Sequence, residues 1–367
     1  MPQALYRKYR PQKLDEVLGQ DTNVEIIRNA AKTGRLGQAY IFYGPRGTGK
    51  TSTARLMAKL LNCEKRRSDP AFAKRGEPCN ECRECKEIDA QTSFDVIEID
   101  AASNRGIDEI RNLKESIKTS PSSAAHKVYI IDEAHMLTGA AFNALLKTLE
   151  EPPKHAAIIL ATTEFEKLPP TITSRAQRFV FKKLTKATMV EHLAMIAKKE
   201  SIKIDDASLE LIAAAAEGSF RDAITLLDQI ASLSTSITLA DAERITGRTG
   251  FKKVHDLAEK IIKKDVKGSL AAVAELGDEG HNLVQFTKDL IHYLRKVLSL
   301  KVNPALEAIF EKDLTKDELA AAKKLTTAAD ATFLVKIEKS LIRAYSEMRY
   351  SPFASIPLEV MLVDELS

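Results

Sequence analysis

The chain has 367 residues, 44% hydrophobic and 29% charged, with a formal net charge of +4 at neutral pH. That length is too great for one ordinary core and points to two or three domains, while no apolar run approaches the ~20 residues of a membrane span. The mild positive charge alone says little about nucleic acid; with no Trp and 6% aromatic residues, base stacking on single strands is disfavoured and any such contact would run through phosphates.

The opening MPQALYRKYRP lacks the apolar core of a secretory signal, so a cytoplasmic protein is the simplest expectation. Short apolar runs then alternate with amphipathic stretches, which predicts an α/β layered fold. The candidate strands are Ala39–Tyr43, Phe94–Ile99, Val128–Ile131, Ala156–Ala161 and Arg178–Phe181. Val128–Ile131 is apolar on both faces, as the centre of a helix-covered parallel sheet requires. Thr138 can cap a helix carrying Phe142, Leu145, Leu146 and Leu149 on one face, and Pro152-Pro153 ends it. After about Leu184 the strand signals stop. Residues 185–247 read as a small helical unit with helices near Leu209–Glu217 and Arg221–Ser232. Residues 248–367 continue as a larger helical domain, broken late by Pro352 and Pro357. The expected domains are therefore 1–184, 185–247 and 248–367.

Gly44-Pro45-Arg46-Gly47-Thr48-Gly49-Lys50-Thr51 fits G-x-x-x-x-G-K-[ST] at every fixed position, after a strand and before a helix expected over Ser52–Leu61. Glycines let backbone N–H groups curl around phosphate oxygens, and the helix N-terminus adds positive potential. Lys50 would reach the β- and γ-phosphates of ATP, and the Thr51 hydroxyl would ligate Mg²⁺. Ser52 completes the loop's nucleotide-contacting set.

Asp132-Glu133-Ala134-His135 closes the strand Val128–Ile131, and acids at the carboxyl end of a parallel strand lie where open α/β sheets bind ligands. Asp132 would organise the Mg²⁺ shell, and Glu133 would polarise the attacking water. Capping of the next helix is the plainer use of both, but the phosphate loop favours the chemical one. The letters DEAH also occur in a helicase family, without other support here. Ala161-Thr162-Thr163 ends the next strand, where a hydroxyl can reach a γ-phosphate or water. Arg175 alone reads as a surface charge on a loop. Arg221 starts a helix against the dipole, which suits an anionic partner as well as an ion pair with Asp222 or Glu217.

The four cysteines, Cys63, Cys79, Cys82 and Cys85, read C-x₁₅-C-x₂-C-x₂-C within 23 residues. In a cytosolic protein such clustering points to metal rather than disulfides. Four thiolates close a tetrahedral Zn²⁺ site of structural type, and an iron–sulfur cluster could use the same spacing.

Taken together, these residues resemble the gamma/tau subunit family of bacterial DNA polymerase III clamp loaders, which are AAA+ ATPases. The likeness runs the full length. It covers LYRKYRP and Glu16-Val17-Leu18-Gly19-Gln20, GPRGTGKTSTAR, the cysteines after the loop helix, and IDEAHMLTGAAFNALLKTLEEPP. It continues through LATTEFEKLPPTITSR, GSFRDAITLLDQ, Ser351-Pro352-Phe353 and Pro357-Leu358-Glu359. The resemblance implies an AAA+ domain with a five-stranded parallel sheet and a zinc-binding insertion at 63–85. A helical lid and an all-α C-terminal collar domain would follow.

It further implies that Tyr6, Arg7, Arg10, Pro11, Val17 and Leu18 line the adenine pocket. Thr163 is similar to the sensor-1 residue, with Thr162 the other candidate, and Arg221 to sensor 2. Arg175 matches the arginine of the family's Ser-Arg-Cys motif, which acts in trans on a neighbour's ATP; Ala176 replaces the Cys. A trans arginine is worth roughly 10³–10⁵ in rate in well-studied NTPases, so the isolated chain would hydrolyse ATP poorly. The implied partners are other loader subunits in a five-membered ring, a sliding clamp opened by ATP binding, and primer–template DNA held through its phosphates. The place of action would be the bacterial nucleoid or replisome, with no membrane and no polymerase active site in this chain. Arg105, Arg111 and Lys114 are the candidate DNA contacts, on a helix that Asn104 can start, although such basic residues commonly form an ordinary solvated face. An AAA+ DNA motor of the branch-migration or helicase type would share the loop, acids and arginines, but usually lacks the zinc insertion. A nucleotide-binding scaffold without turnover would have less need of Gly49, Lys50, Thr51, Asp132 and Glu133 together.

Overall fold

Five strands, β1 (Ala39–Tyr43), β2 (Val96–Asp100), β3 (Lys127–Asp132), β4 (Ala156–Thr162) and β5 (Gln177–Val180), form one parallel sheet in the order β2-β3-β4-β1-β5. The structure, a computed structural model, describes residues 3–104, 106–233, 236–311 and 314–367, without the side chains of 107–109, 111 and 112. It divides into two units, 1–184 and 185–367.

In the first unit the pleat sends alternate residues to opposite faces. Tyr40, Phe42, Val128, Ile130, Ala157 and Ile159 pack toward the helix Lys50–Asn62, through Leu56, Met57 and Leu60. Ile41, Tyr129, Ile131, Ile158 and Leu160 pack toward the helices Ile107–Lys118 and Gly139–Glu150, through Ile110, Leu113, Ile117 and Leu145. Both faces being covered explains why β3 and β4 are apolar without alternation. Thr138 caps the second of those helices, accepting the Ala141 N–H at 3.2 Å. The helix expected from Asn104 starts instead at Ile107, behind Gly106 in extended backbone. Strand ends also move: β2 runs two residues later at its start, and β3 and β4 extend to take in Asp132 and Thr162.

The second unit is helical. Thr185, Asp205, Ser219 and Thr238 each cap a helix by accepting the N–H three residues on. Contrary to the expectation of no strands here, two short segments, β6 (Lys203–Ile204) and β7 (Ser236–Ile237), pair in parallel. Among the described residues, six longer helices follow between Phe251 and Leu366, around a core that includes Phe286, Leu290, Leu294, Leu341 and Leu362. No helix among the described residues is long and apolar enough to cross a membrane.

The turn before β3 depends on a buried carboxylate. Asp95 accepts the backbone N–H groups of Ser122 (2.8 Å), Ser123 (2.8 Å) and Ala124 (2.9 Å). Burial works to raise its pKa, but the three donors outweigh it and hold the group below the ordinary 3.8. A depressed carboxyl contributes stability above its unfolded pKa and loses it as pH falls through the folded value. Asp95→Asn is therefore expected to cost about 2–3 kcal/mol at neutral pH. In urea denaturation the gap to wild type should shrink as pH drops below about 3.8; a constant gap would show that the charge is not what holds the turn.

Candidate active site

The chain leaves β1 at Gly44, whose N–H donates to the Thr162 carbonyl at 3.2 Å. Gly44, Gly47 and Gly49 all have positive φ, at 142°, 72° and 99°. Thr48 Oγ1 closes the loop on the Pro45 carbonyl at 2.8 Å. The helix Lys50–Asn62 begins directly behind Gly49, so its first N–H groups, which lack intrahelical partners, face the loop's concavity. Lys50 is 6% exposed and donates to the carbonyls of Gly44 (2.9 Å) and Pro45 (2.8 Å). Burial lowers the pKa of its ammonium, while Glu133 and Asp132 nearby work to raise it.

The acids close on this loop from β3. Thr51 Oγ1 donates to Asp132 Oδ2 at 2.7 Å. Glu133 lies in left-handed backbone (φ 48°), strained for a non-glycine residue, with its N–H donating to Asp132 Oδ1 at 3.0 Å. Thr163 Oγ1 donates to Glu133 Oε2 at 3.2 Å. Thr162 is fully buried and meets His135 Nδ1 at 2.9 Å and the Glu164 N–H at 3.0 Å. The two threonines thus separate: Thr163 addresses the carboxylate, and Thr162 the frame. His135, read in the sequence only as one letter of DEAH, is the missed member. It lies 3.5 Å from Glu133 Oε2 and 3.1 Å from Glu164 Oε1, spanning the ends of β3 and β4.

The N-terminal segment reaches the loop through Val17, which is buried; a Cβ on Gly49 would lie 3.7 Å from Val17 Cγ1. Leu18, Arg10 and Pro11 are half-buried. Tyr6 and Arg7 belong to the short helix Leu5–Lys8, with Arg7 Nε donating to Tyr6 Oη at 3.0 Å. Arg46 is exposed at the loop's crest, and Ser52 half-buried in the first turn of the helix.

Arg175 is held within its own chain, with Nε 2.7 Å and Nη2 2.6 Å from Glu150 Oε1 and Nη1 donating to the Thr171 carbonyl at 2.6 Å. Glu150, at the helix end before Pro152, lies 25 residues from Arg175, so no local sequence pattern signals the pair. Arg221 lies in the second unit as the second residue of the helix Phe220–Ala231, and is exposed. Glu217, one of its two anticipated ion-pair partners, meets Arg248 at 2.6 Å and Lys288 at 3.1 Å. Lys114 is half-buried on its helix. Arg105 and the Arg111 side chain lie outside the described residues.

The four cysteine sulfurs lie within 4.8 Å of one another and none is in a disulfide. A tetrahedral Zn–S₄ site has sulfurs about 3.8 Å apart, so the set suits one ion better than a cluster, whose inorganic core would spread them. Cys63 Sγ accepts the Cys79 N–H at 3.4 Å, and Cys79 Sγ accepts those of Glu81 and Cys82 at 3.4 and 3.3 Å, as thiolate ligands require. The contact between Cys63 and Cys85 holds the Cys63 thiol below its ordinary range and pushes the Cys85 thiol above it.

A phosphate loop after β1 with acids after β3, on a sheet ordered β2-β3-β4-β1-β5, places the first unit in the AAA+ class of P-loop nucleotide-binding domains. Family models match the chain in three parts. Residues 19–185 match DNA polymerase III, delta subunit; 188–235 the DNA polymerase III clamp loader subunit, ATPase lid domain; and 237–364 DNA polymerase III subunits gamma and tau domain III. DNA polymerase III subunit tau of Bacillus subtilis is 44% identical over 362 residues, covering 98% of this chain and 62% of that protein. DNA polymerase III subunit gamma of Buchnera aphidicola is 35% identical over 366 residues, 100% of this chain and 99% of that one. The chain belongs to the DNA polymerase III gamma/tau family. A solved RuvB Holliday junction branch migration motor from Thermotoga maritima shares 20% identity at a TM-score of 0.47, covering 73% of this chain and 85% of that one, too distant to bear on function.

The loop's tightest constraint is at Gly44, where an added Cβ would lie 2.1 Å from the Phe181 carbonyl oxygen and φ is 142°. Gly44→Ala should lower stability by about 1–3 kcal/mol or more through strain alone. The check is thermal unfolding of the variant; an unchanged Tm would mean that the loop tolerates a different path.

Proposed function

We propose that this chain is an ATP-hydrolysing subunit of a DNA polymerase III clamp loader, using ATP binding and hydrolysis to open a sliding clamp and load it on primer–template DNA. The observation that carries the reading is the Thr51–Asp132 hydrogen bond at 2.7 Å, with Glu133 and Thr163 beside it. That is the spacing of a metal-organising pair next to a base and its polar partner. The match of residues 188–235 to the lid domain of a DNA polymerase III clamp loader subunit favours the loader over the DNA motor.

Backbone N–H groups of 44–51 cradle the phosphates, and Lys50 turns from its two carbonyls toward the β- and γ-oxygens. Thr51 and Asp132 would hold Mg²⁺, which when bound would neutralise charge on the phosphates. Glu133 accepts a proton from the attacking water, and Thr163 fixes the rotamer of that carboxylate while sensing the γ-phosphate. Arg221 contacts the same phosphate from the lid, and Arg175 leaves Glu150 to stabilise a neighbouring subunit's transferring phosphoryl group. The segment from Tyr6 to Leu18 lines the adenine. Cys63, Cys79, Cys82 and Cys85 hold a structural Zn²⁺. In domain terms, 1–184 binds nucleotide, 185–247 is the lid and 248–367 the collar that joins subunits into a five-membered ring. The ring acts in the cytoplasm at the replisome, where Arg105, Arg111 and Lys114 meet DNA phosphates.

The test is ATP turnover by the chain assembled with loader partners, with and without clamp and primed DNA. Clamp plus primed DNA should stimulate wild type strongly. Glu133→Gln should keep ATP binding but lose roughly 10²–10⁴ of the rate, and Arg175→Ala should lose the stimulation. Turnover indifferent to the clamp would overturn the loader reading.

A further inference from the structure

We propose that the cysteine module is a buttress for the segment across the nucleotide pocket, with Asn80 as its positioning residue. Asn80 sits inside the Cys79–Cys82 turn at φ 60°, a left-handed conformation that Asn tolerates better than most residues. From there its amide serves two elements at once. Nδ2 donates to the Gln12 carbonyl at 3.0 Å, and Oδ1 accepts from Lys59 Nζ at 3.0 Å. Lys59 stands on the helix that begins in the phosphate loop and is 1% exposed; it donates also to Gln12 Oε1 and pairs with Asp89 at 2.5 Å. A second tie lies two residues before Cys79, where Glu77 Oε2 accepts the Leu14 N–H at 2.9 Å.

The segment's own bonds are all local to one turn: the Glu16 carboxylate accepts the Gln12 and Lys13 N–H groups, and the Val17 N–H donates to the Leu14 carbonyl. Residues 12–17 contain one short 3₁₀ turn, Leu14–Glu16, and otherwise run as irregular backbone. Such a stretch samples many conformations unless outside contacts fix it. From outside, Leu14 and Val17 enter the domain core and Asp15 pairs with Arg28, while the backbone of Gln12 and Leu14 is tied to the cysteine turn through Asn80 and Glu77, just ahead of the point where Val17 lies against Gly49. The phosphate cradle is held by bonds of its own, Thr48 to Pro45 and Lys50 to Gly44. Loosening the buttress should therefore spoil recognition of the base while sparing the phosphates. This inference rests on the reading of Val17 and Leu18 as adenine-lining.

The experiment uses the full metal-loaded chain with Asn80→Gly, which keeps the left-handed turn and removes only the amide. Amide hydrogen exchange at Gln12–Val17 should quicken, and affinity for ATP should fall about tenfold. Affinity for inorganic triphosphate and the bound metal content should stay at wild-type values. Unchanged exchange at Gln12–Val17 would overturn the buttress, as would equal losses for ATP and triphosphate. Should Asn80→Gly shed its metal, Glu77→Ala, which removes the tie to Leu14 together with an ion pair to Arg28, decides the matter on the same readouts. A wild-type chain that binds triphosphate but shows no preference for ATP would instead sink the adenine reading, while the exchange result still judges the buttress.

Discussion

Three neighbouring parallel strands, β3, β4 and β1, end at the same edge of the sheet, and the site exists because they do. Parallel pairing brings Tyr43 opposite Thr162 and Ile131 opposite Leu160, so the residues that follow each strand emerge side by side. The loop after β1 presents N–H groups, β3 ends in Asp132 with Glu133 directly after it, and β4 ends in Thr162 with Thr163 directly after it. Ligand sites at the carboxyl ends of open parallel sheets follow from this geometry, since side chains far apart in sequence converge there without any loop having to travel. Burial of both sheet faces makes the edge rigid, and the strain at Glu133 can persist because its neighbours over-determine it.

Arg175 and Arg221 stand apart from that edge in character. Arg175 is paired with Glu150, and both side chains are partly exposed, at 34% and 44%. Exposed pairs of this kind contribute about 0–1 kcal/mol, so Glu150 orients the guanidinium without binding it strongly. A phosphate group in a water-poor interface is a much stronger partner for the same fork of donors. Weak tethering in cis suits an arginine whose proposed task lies on another subunit. Arg248 plays a different part in the second unit, joining Glu217 just before the Arg221 helix to Asp289 of a longer helix at 3.2 Å.

What was legible in the sequence was what local chemistry dictates. The glycine pattern from Gly44 to Gly49, the apolar runs of β1, β3 and β4, and the Thr138 cap each declare themselves within a few residues. The strand ends at Asp132 and Thr162 were less visible, because polar residues at a strand's end look like the start of a loop. The pairing of Ile204 with Ile237 has no periodic signature at two residues per strand. Likewise, the partnership of Thr162 with His135 rather than Thr163 depends on which way adjacent side chains point at the end of β4. The role of Asn80 has no local signal in the sequence, since its partners, Gln12 and Lys59, lie 68 and 21 residues away.

The central claim is that a complete site needs its own Glu133 and a neighbour's Arg175. Loader assemblies built from a mixture of Glu133→Gln chains, with the arginine intact, and Arg175→Ala chains, with the site intact, test it in one ATPase measurement. Each variant alone should be nearly inactive, and the mixed assemblies should regain a substantial part of the clamp- and DNA-stimulated rate. Mixed assemblies no faster than the two parents would contradict an arginine acting across the subunit boundary.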